Sequence, residues 1–244
     1  MARTLIPETS ARLRARISGA LYVLCIGCGF FAEIVVRGKL VVYSDAAVTA
    51  YNISAAPGLY RAGFFADVSG MTLGVLSSVL LYTLLKAVSR GLALTVLVLD
   101  VISNAVSISG SILLFAPLVI LQGDGYLSVL TAPQLSSLAL LSIKLYESAY
   151  AISLGLFSGS CLLTGYLIFR STFLPKAIGV LLALAGICYL LNTFVSLMPK
   201  GFGDYLFPWI FLPILVGEGA LALWLLIAGV NSAKWAAIAR TQTV

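Results

Sequence analysis

The sequence predicts an all-α, polytopic bundle of about six membrane-spanning helices in a single transmembrane domain. Two observations predict this class: 61% of the 244 residues are hydrophobic, and only 10% are charged. A soluble domain is about a quarter charged, so this chain has too few charges for a fully water-facing surface. Its apolar runs reach the length of about 20 residues that a helix needs to cross a bilayer. They lack the alternation of apolar and polar residues that is typical of barrel strands.

Six apolar runs define the predicted spans. Lipid offers no partner for backbone N–H and C=O groups, so each run must satisfy its own hydrogen bonds as a helix. The first run follows a basic segment, but it is too long for a signal peptide and lacks a small-residue cleavage site, so we interpret it as an uncleaved helix. The predicted spans cover residues 17–36, 64–85, 92–121, 133–169, 174–198 and 206–230.

Two further segments are predicted to lie at the membrane surface. Asp45 precedes an Ala-rich run and Pro57 follows it, which predicts a short interfacial helix over residues 45–56. The tail after Val230, with Trp235 between basic residues, is predicted to be a second interfacial segment. The fourth span is longer than a bilayer requires, and we expect it to project from the membrane or to bend near Lys144.

The placement of Lys and Arg predicts that both termini face the cytoplasm of a bacterial inner membrane. One set of segments carries 10 of the 15 basic residues, the other carries 4, and Lys144 lies inside a span. Basic segments are retained in the cytoplasm, so the larger set is assigned to that side. The larger set is Arg3, Arg12, Arg14, Arg16, Lys86, Arg90, Arg170, Lys176, Lys234 and Arg240, and the smaller set is Arg37, Lys39, Arg61 and Lys200.

Carboxylates inside the predicted spans are the most informative feature of the sequence. A charged group in the bilayer is costly, so such residues usually face a protein interior or a water-filled cavity. Asp100 lies ten residues past Arg90 and Glu218 twelve past Leu206, which places both about 15–18 Å deep, near the midplane. The acidic residues within spans are Glu33, Asp67, Asp100, Glu147 and Glu218.

The depths of these residues predict an outward-facing acidic pocket floored by Asp100 and Glu218, which are also the candidate catalytic residues. The other polar groups fall between the midplane and the outer border, and Asn104 shares a helical face with Asp100 at i,i+4 spacing. The predicted ligand-binding set is Glu33, Asp67, Asp100, Asn104, Glu147, Tyr150, Asn192 and Glu218.

Structural roles remain open for the three acids nearest the outer border. Each has a basic residue close by in sequence with which it can form an ion pair, and Asp67 also suits a helix cap. The alternative pairs are Glu33 with Arg37, Asp67 with Arg61, and Glu147 with Lys144.

The sequence contains no histidine, which removes the commonest metal ligand and the usual general base near neutral pH. The four cysteines lie in apolar runs, where a thiol resists ionisation, so they are interpreted as packing residues even though two of them have C-x-x-C spacing. No D-x-x-D spacing for a hard cation is present. We therefore predict no metal centre and no cofactor, and the dispersed basic charge favours no nucleic-acid partner.

Four stretches resemble a bacterial membrane family, the domain-of-unknown-function family 4386. They are residues 15–22 (Ala-Arg-Ile-Ser-Gly-Ala-Leu-Tyr), Phe31 through Arg37, Gly165 through Leu190, and Gly217 through Trp224. The resemblance covers most of the chain and implies a multi-helix membrane protein. It implies no activity, since the family has none established. Members often carry a histidine on the fourth span near Leu145 to Tyr150, and its absence here argues against a histidine-based mechanism.

The sequence leaves three function classes open. The first is binding of a small cationic or amphiphilic, lipid-like ligand, because carboxylates near tyrosines suit such a guest. The second is an intramembrane enzyme acting on a lipid or isoprenoid, with carboxyl groups as acid and base. The third is a proton- or cation-coupled transporter, although the chain shows no inverted repeat. An accessory subunit is a further interpretation, and the oligomeric state is left open.

Overall fold

Helices account for all the regular structure in the part of the chain that the computed structural model describes, residues 8–198 and 209–241, where no strand is present. This agrees with the requirement that backbone hydrogen bonds in lipid be made within each segment. The α-helices of ten residues or more are α1 Glu8–Phe30, α2 Ala46–Ala55, α3 Pro57–Leu85, α4 Arg90–Ile120, α5 Ala132–Arg170, α6 Lys176–Leu197, α7 Phe211–Ile227 and α8 Ser232–Thr241.

The predicted fold class, an all-α helix bundle of a multi-pass membrane protein, is confirmed. Among the described residues, five helices are long and apolar enough to cross a bilayer, and the bent pair α7–α8 is a sixth candidate. The two members of that pair meet at 98°. Gly229 makes this turn with φ +70°, a conformation that other residues rarely adopt.

Several helix ends differ from the predicted spans. α1 continues through a π-helical segment, Phe31–Arg37, so Arg37 lies within the helix and not in a connection. α3 begins at Pro57, seven residues before the predicted start, because proline suits the first position of a helix and so both ends α2 and starts α3. α5 is one unbroken helix of 39 residues, with no break near Lys144.

Other sequence predictions fall outside the described residues or remain untested. Arg3, Lys200 and the predicted start of the sixth span at Leu206 lie outside the described ranges. The orientation of the bundle and the identity of the membrane stay predictions.

The six long helices are arranged as a closed ring. Each packs mainly against two neighbours, in the order α1, α3, α4, α5, α6, α7 and back to α1. The short helix α2 packs on α5 at one end of the ring, and α8 contacts α1 at the other. In this ring, each helix directs one face toward a common centre.

Close contacts between the ring helices depend on glycine. The backbones of α5 and α6 approach so closely that a Cβ on Gly179 would lie 2.6 Å from the carbonyl oxygen of Gly165. A Cβ on Gly19 of α1 would lie 2.3 Å from the backbone nitrogen of Leu226 on α7. Small residues bring membrane helices together in this way because the surrounding lipid supplies no hydrophobic driving force.

Apolar clusters close the two ends of the ring. The end that holds both described termini, the terminal end, is packed around Leu84, Leu85 and Trp235. The Trp235 indole is 5% exposed, donates a 3.0 Å hydrogen bond to the Leu84 carbonyl, and lies under the Arg14 guanidinium. At the opposite end, α2 contributes Ile53 to a second cluster. The predicted interfacial tail is thus helix α8, which anchors itself across the terminal end.

The glycine contact predicts opposite effects for two Gly→Ala substitutions. Gly179→Ala should lower the free energy of unfolding by about 1–3 kcal/mol, because its methyl group meets a backbone carbonyl that has no room to move. Gly27→Ala should be neutral or stabilising by up to about 1 kcal/mol, because no atom lies within 4 Å of its Cβ position. Denaturant unfolding in mixed micelles measures both values, and equal effects would contradict the assigned contact.

Reporter fusions test the predicted orientation. An enzyme that is active only outside the cytoplasm should be inactive when fused after residue 241 and active when inserted at Asp124, in the connection between α4 and α5. The reversed pattern would overturn the assignment of the termini to the cytoplasm.

Candidate functional site

Six polar side chains, one from each ring helix, meet at mid-depth in the bundle. They form two connected groups, one around the Asp100 carboxylate and one around the Glu218 carboxylate, and the two carboxylates lie close enough to interact electrostatically. We call this set the central cluster. Its members are Tyr22 of α1, Ser78 of α3, Asp100 of α4, Ser160 of α5, Tyr189 of α6 and Glu218 of α7.

The Asp100 carboxylate is held by hydroxyl groups. Asp100 is 3% exposed, and its Oδ2 accepts a 2.6 Å hydrogen bond from the Ser78 hydroxyl. Ser160 approaches the same carboxylate from α5. The other carboxylate oxygen of Asp100, Oδ1, is buried without a hydrogen-bond partner among residues 8–198 and 209–241. A buried acceptor without a donor is destabilising, so this oxygen is available for a further donor.

The Glu218 carboxylate is surrounded by aromatic residues. Its Oε1 accepts a 2.9 Å hydrogen bond from the Tyr189 hydroxyl, and Tyr22 lies within hydrogen-bonding reach. The Tyr189 ring packs edge-on against Phe157 with centroids 5.4 Å apart, which fixes the direction of its hydroxyl. Glu218 is half-buried, whereas Asp100 is buried. In the described part of the chain, no basic side chain lies within 4.0 Å of either carboxylate.

Small residues on α3 make room beside the central cluster. The Cβ position of Gly74 lies 3.4 Å from Cys25 Sγ and 3.6 Å from Asn104 Oδ1, so a larger residue would fill the space between α1 and α4. The Asn104 side-chain amide donates a 2.8 Å hydrogen bond to the Asp100 carbonyl, one turn away. Asn104 is half-buried, and its Oδ1 is directed toward Gly74 of α3.

A second polar group, which we call the Arg37 cluster, lies toward the opposite end. Arg37 is 6% exposed, and its guanidinium pairs in bidentate fashion with Asp67 of α3 and, at 2.7 Å, with Glu33 one turn earlier. It also lies 5.6 Å from the centre of the Tyr146 ring of α5. These four residues, Glu33, Arg37, Asp67 and Tyr146, join three helices through one cation.

The π-helical segment accounts for the inward position of Arg37. A π turn contains more residues than an α turn, so it rotates the side chains that follow it around the helix axis. Arg37 ends this segment and is buried against α3. Such segments occur frequently at functional sites, although here the ion pair supplies a sufficient structural reason.

Tyr150 lies between the two clusters. Its ring stacks on Tyr146 with centroids 6.0 Å apart, and it interacts electrostatically with both Arg37 and Glu218. Tyr150 retains 39% of its surface exposed, so part of it faces space that the protein does not fill. The Tyr146 hydroxyl is buried and has no hydrogen-bond partner among the described residues. Polar side chains therefore follow one another in space from the Arg37 cluster to the central cluster.

The structure decides between the alternatives for the outer acids. Glu33 forms an ion pair with Arg37, as the structural alternative predicted. Asp67 forms its ion pair with Arg37, so the predicted pair with Arg61 is wrong. Glu147 lies near the Tyr43 hydroxyl, and no ion pair joins it to Lys144 among the described side chains. Burial and the neighbouring Glu147 carboxylate raise the pKa of the Tyr43 phenol, which keeps its proton at neutral pH.

Asn192 lies near the central cluster but has a different setting. It is 7% exposed and lies three residues after Tyr189 on α6. The neighbouring Thr193 hydroxyl donates a 3.0 Å hydrogen bond to the Ala151 carbonyl of α5. Asn192 thus lies at the helix pair α5–α6, close to the position of Tyr150 along the bundle.

Sequence reasoning missed the partners of both deep carboxylates. Tyr22 and Tyr189 lie within apolar spans, and a buried tyrosine hydroxyl normally needs a hydrogen-bond partner, so their depth was a usable signal. Arg37 was assigned to a connection because the predicted span ended one residue earlier. Ser78 was not among the predicted site residues, whereas its hydroxyl contacts Asp100.

Comparison with known proteins gives a family and no activity. Residues 17–229 match the domain of unknown function (DUF4386). The chain belongs to this family. No curated protein and no solved structure matches it. All six members of the central cluster fall within the matched residues, so the cluster belongs to the DUF4386 domain itself.

Two cavities are formed at the ends of this DUF4386 domain, and neither includes a residue of the central cluster. One, of about 270 Å³, lies at the opposite end between Arg61 and Gln122. The other, of about 630 Å³, lies at the terminal end between Arg12 and Lys234.

The Arg37–Asp67 ion pair predicts non-additive effects of substitution. Arg37→Met and Asp67→Leu should each lower the free energy of unfolding by about 3–5 kcal/mol, because each leaves one buried charge unpaired. The double variant should cost much less than the sum, since it removes both charges. Denaturant unfolding of the three variants measures the coupling.

Glu33→Gln provides the control for this comparison. The Glu33 side chain is 56% exposed, so loss of its pair should cost only about 0.3–0.5 kcal/mol. Additive effects of Arg37→Met and Asp67→Leu would show that the two side chains do not stabilise each other.

Proposed function

We propose that this protein binds a small cationic or amphiphilic, lipid-like ligand between its six helices, with Asp100 and Glu218 as the anionic contacts. The observation that carries the proposal is the contrast between the two polar clusters. Arg37 balances the acids of its own cluster, whereas the carboxylates of the central cluster have only neutral hydroxyl partners among the described residues.

Charge is the first argument for a cationic guest. An ionised carboxylate in an apolar interior is strongly unfavourable unless a cation or several donors accompany it. Asp100 and Glu218 are close enough to repel each other, which adds to that penalty. A cationic group between them relieves both the desolvation and the repulsion. Asp100 Oδ1, which is buried and unpartnered in the described structure, supplies the acceptor for it.

Aromatic side chains are the second argument. Tyr22, Tyr189 and Phe157 surround Glu218 with rings whose faces attract a cation and whose bodies accept an alkyl or prenyl group. Glu218 and Tyr22 are both half-buried, so their surfaces are not fully covered by protein. A guest with a positive head and an apolar tail matches this combination better than a hydrated metal ion, which prefers more oxygen ligands.

The other predicted ligand-binding residues are assigned to the surroundings of the two carboxylates or to the path that leads to them. Asn104 and Asn192 offer amide groups near the two carboxylates. Glu33, Asp67, Glu147 and Tyr150 line the approach from the opposite end, where Tyr150 has an exposed surface. The ligand would enter from that end, because Tyr150 there continues the polar groups of the Arg37 cluster toward Glu218.

Carboxamide variants test the proposal directly. Asp100→Asn and Glu218→Gln should each weaken binding of a fluorescent cationic amphiphile by about tenfold to hundredfold, the equivalent of about 1.5–3 kcal/mol for a charge-assisted hydrogen bond. Binding is measured by titration of the full chain in lipid nanodiscs. A neutral amphiphile of the same shape should bind the wild type and both variants with similar affinity.

Asp124→Asn is the matched control, since it removes one carboxylate from a connection outside the helices. It should leave affinity unchanged. Equal affinity of the wild type, Asp100→Asn and Glu218→Gln, with all three correctly folded by thermal unfolding, would overturn the proposed ligand site.

A further inference from the structure

The cavity at the terminal end has the chemistry of a phosphate site at a membrane border. It measures about 630 Å³ and is bounded by α1, by the connection between α5 and α6, and by the turn between α7 and α8. We propose that it holds the phosphate headgroup of an anionic phospholipid from the leaflet at this end. The site shares no residue with the central cluster and is independent of the function proposed above.

Backbone contacts give the cavity a defined shape. The N–H of Asn231 donates a 3.2 Å hydrogen bond to the Phe173 carbonyl, which ties the start of α8 to the connection before α6. Gly229 makes its turn against α1, where its Cβ position lies 3.0 Å from Arg12 Cγ. The walls are therefore held together from three separate parts of the chain, and the cavity is not a gap between unconnected side chains.

Two basic side chains line this cavity, and no acid among the described side chains balances them. Arg12 and Lys234 are both exposed. No carboxylate whose side chain is described lies within ion-pair distance of either residue. A guanidinium binds phosphate through two parallel hydrogen bonds, and an ammonium adds a second cationic contact.

The start of α8 adds to the positive potential. The helix has 10 residues, and the Asn231 side chain accepts a 3.1 Å hydrogen bond from the Lys234 N–H. Unpaired N–H groups in a first helical turn carry partial positive charge and favour an anion nearby. This contribution supports the two basic side chains and would not define a site without them.

Apolar lining favours a lipid over a free phosphate. Phe173, Leu174 and Trp224 share the cavity with the basic residues, and Trp224 is 42% exposed. Tryptophan and basic residues together are typical of the headgroup level of a membrane. Basic pockets between helices at this level bind anionic headgroups, with the acyl chains against the apolar surface. A soluble phosphate would leave the exposed Trp224 ring in contact with water.

Native mass spectrometry of the full chain tests this inference with phosphatidylglycerol and phosphatidylcholine as probes. The wild type should retain one phosphatidylglycerol in preference to phosphatidylcholine. The double variant Arg12→Gln/Lys234→Gln should bind phosphatidylglycerol at least about tenfold more weakly, while binding of phosphatidylcholine stays the same.

The matched control is Lys86→Gln/Arg90→Gln, which removes two exposed positive charges at the same end, one from the connection after α3 and one from the first residue of α4. It should retain the wild-type preference. Equal losses in both double variants would show a general attraction to a basic surface and would overturn the site. Displacement of the lipid by inorganic phosphate at the same concentration would assign the cavity to a soluble anion and would overturn the lipid proposal.

Discussion

The charge of Arg37 in an apolar surrounding constrains the helix bundle more than any other single group. A guanidinium at this depth must keep its partners, because hydrocarbon offers none. Asp67 and Glu33 supply the opposite charge, and the Tyr146 ring covers one face, so three helices are fixed relative to one another by one side chain. The acids Asp100 and Glu218, deeper in the ring, have no such cation among the described residues. That difference separates a structural cluster from a candidate binding site.

The two ends of the ring are built differently. Toward the terminal end, Gly165 and Gly179 let α5 and α6 approach until their backbones touch, and Trp235 fills the space below α3. Around mid-depth, hydroxyl and carboxylate groups also join the helices, beside close glycine contacts such as that of Gly217 with the Leu181 carbonyl. At the opposite end the close approach is to a side chain, since a Cβ on Gly63 would lie 2.7 Å from Val36 Cγ1.

The sequence was sufficient for the helix class, because that class follows from composition and from the length of the apolar runs. It did not indicate that Arg37 turns inward, since a single π-helical segment decides that rotation. Nor did it identify the partner of Glu218, because Tyr189 is 29 residues distant along the chain. The order of helices around the ring is a property of tertiary packing, which hydropathy alone does not determine.

Neutral hydrogen-bond donors do not balance the negative charge of the central cluster. The hydroxyls of Ser78 and Tyr189 each offer one hydrogen bond, which stabilises a carboxylate but leaves its charge in place. Two neighbouring anions with only such partners are stable in an apolar interior when they share a proton or when a cation lies between them. Glu218 and Tyr22 are both half-buried, so neither side chain is fully covered by protein. The cationic ligand proposed above supplies the positive charge that the cluster lacks, and the aromatic rings around Glu218 accept its apolar tail.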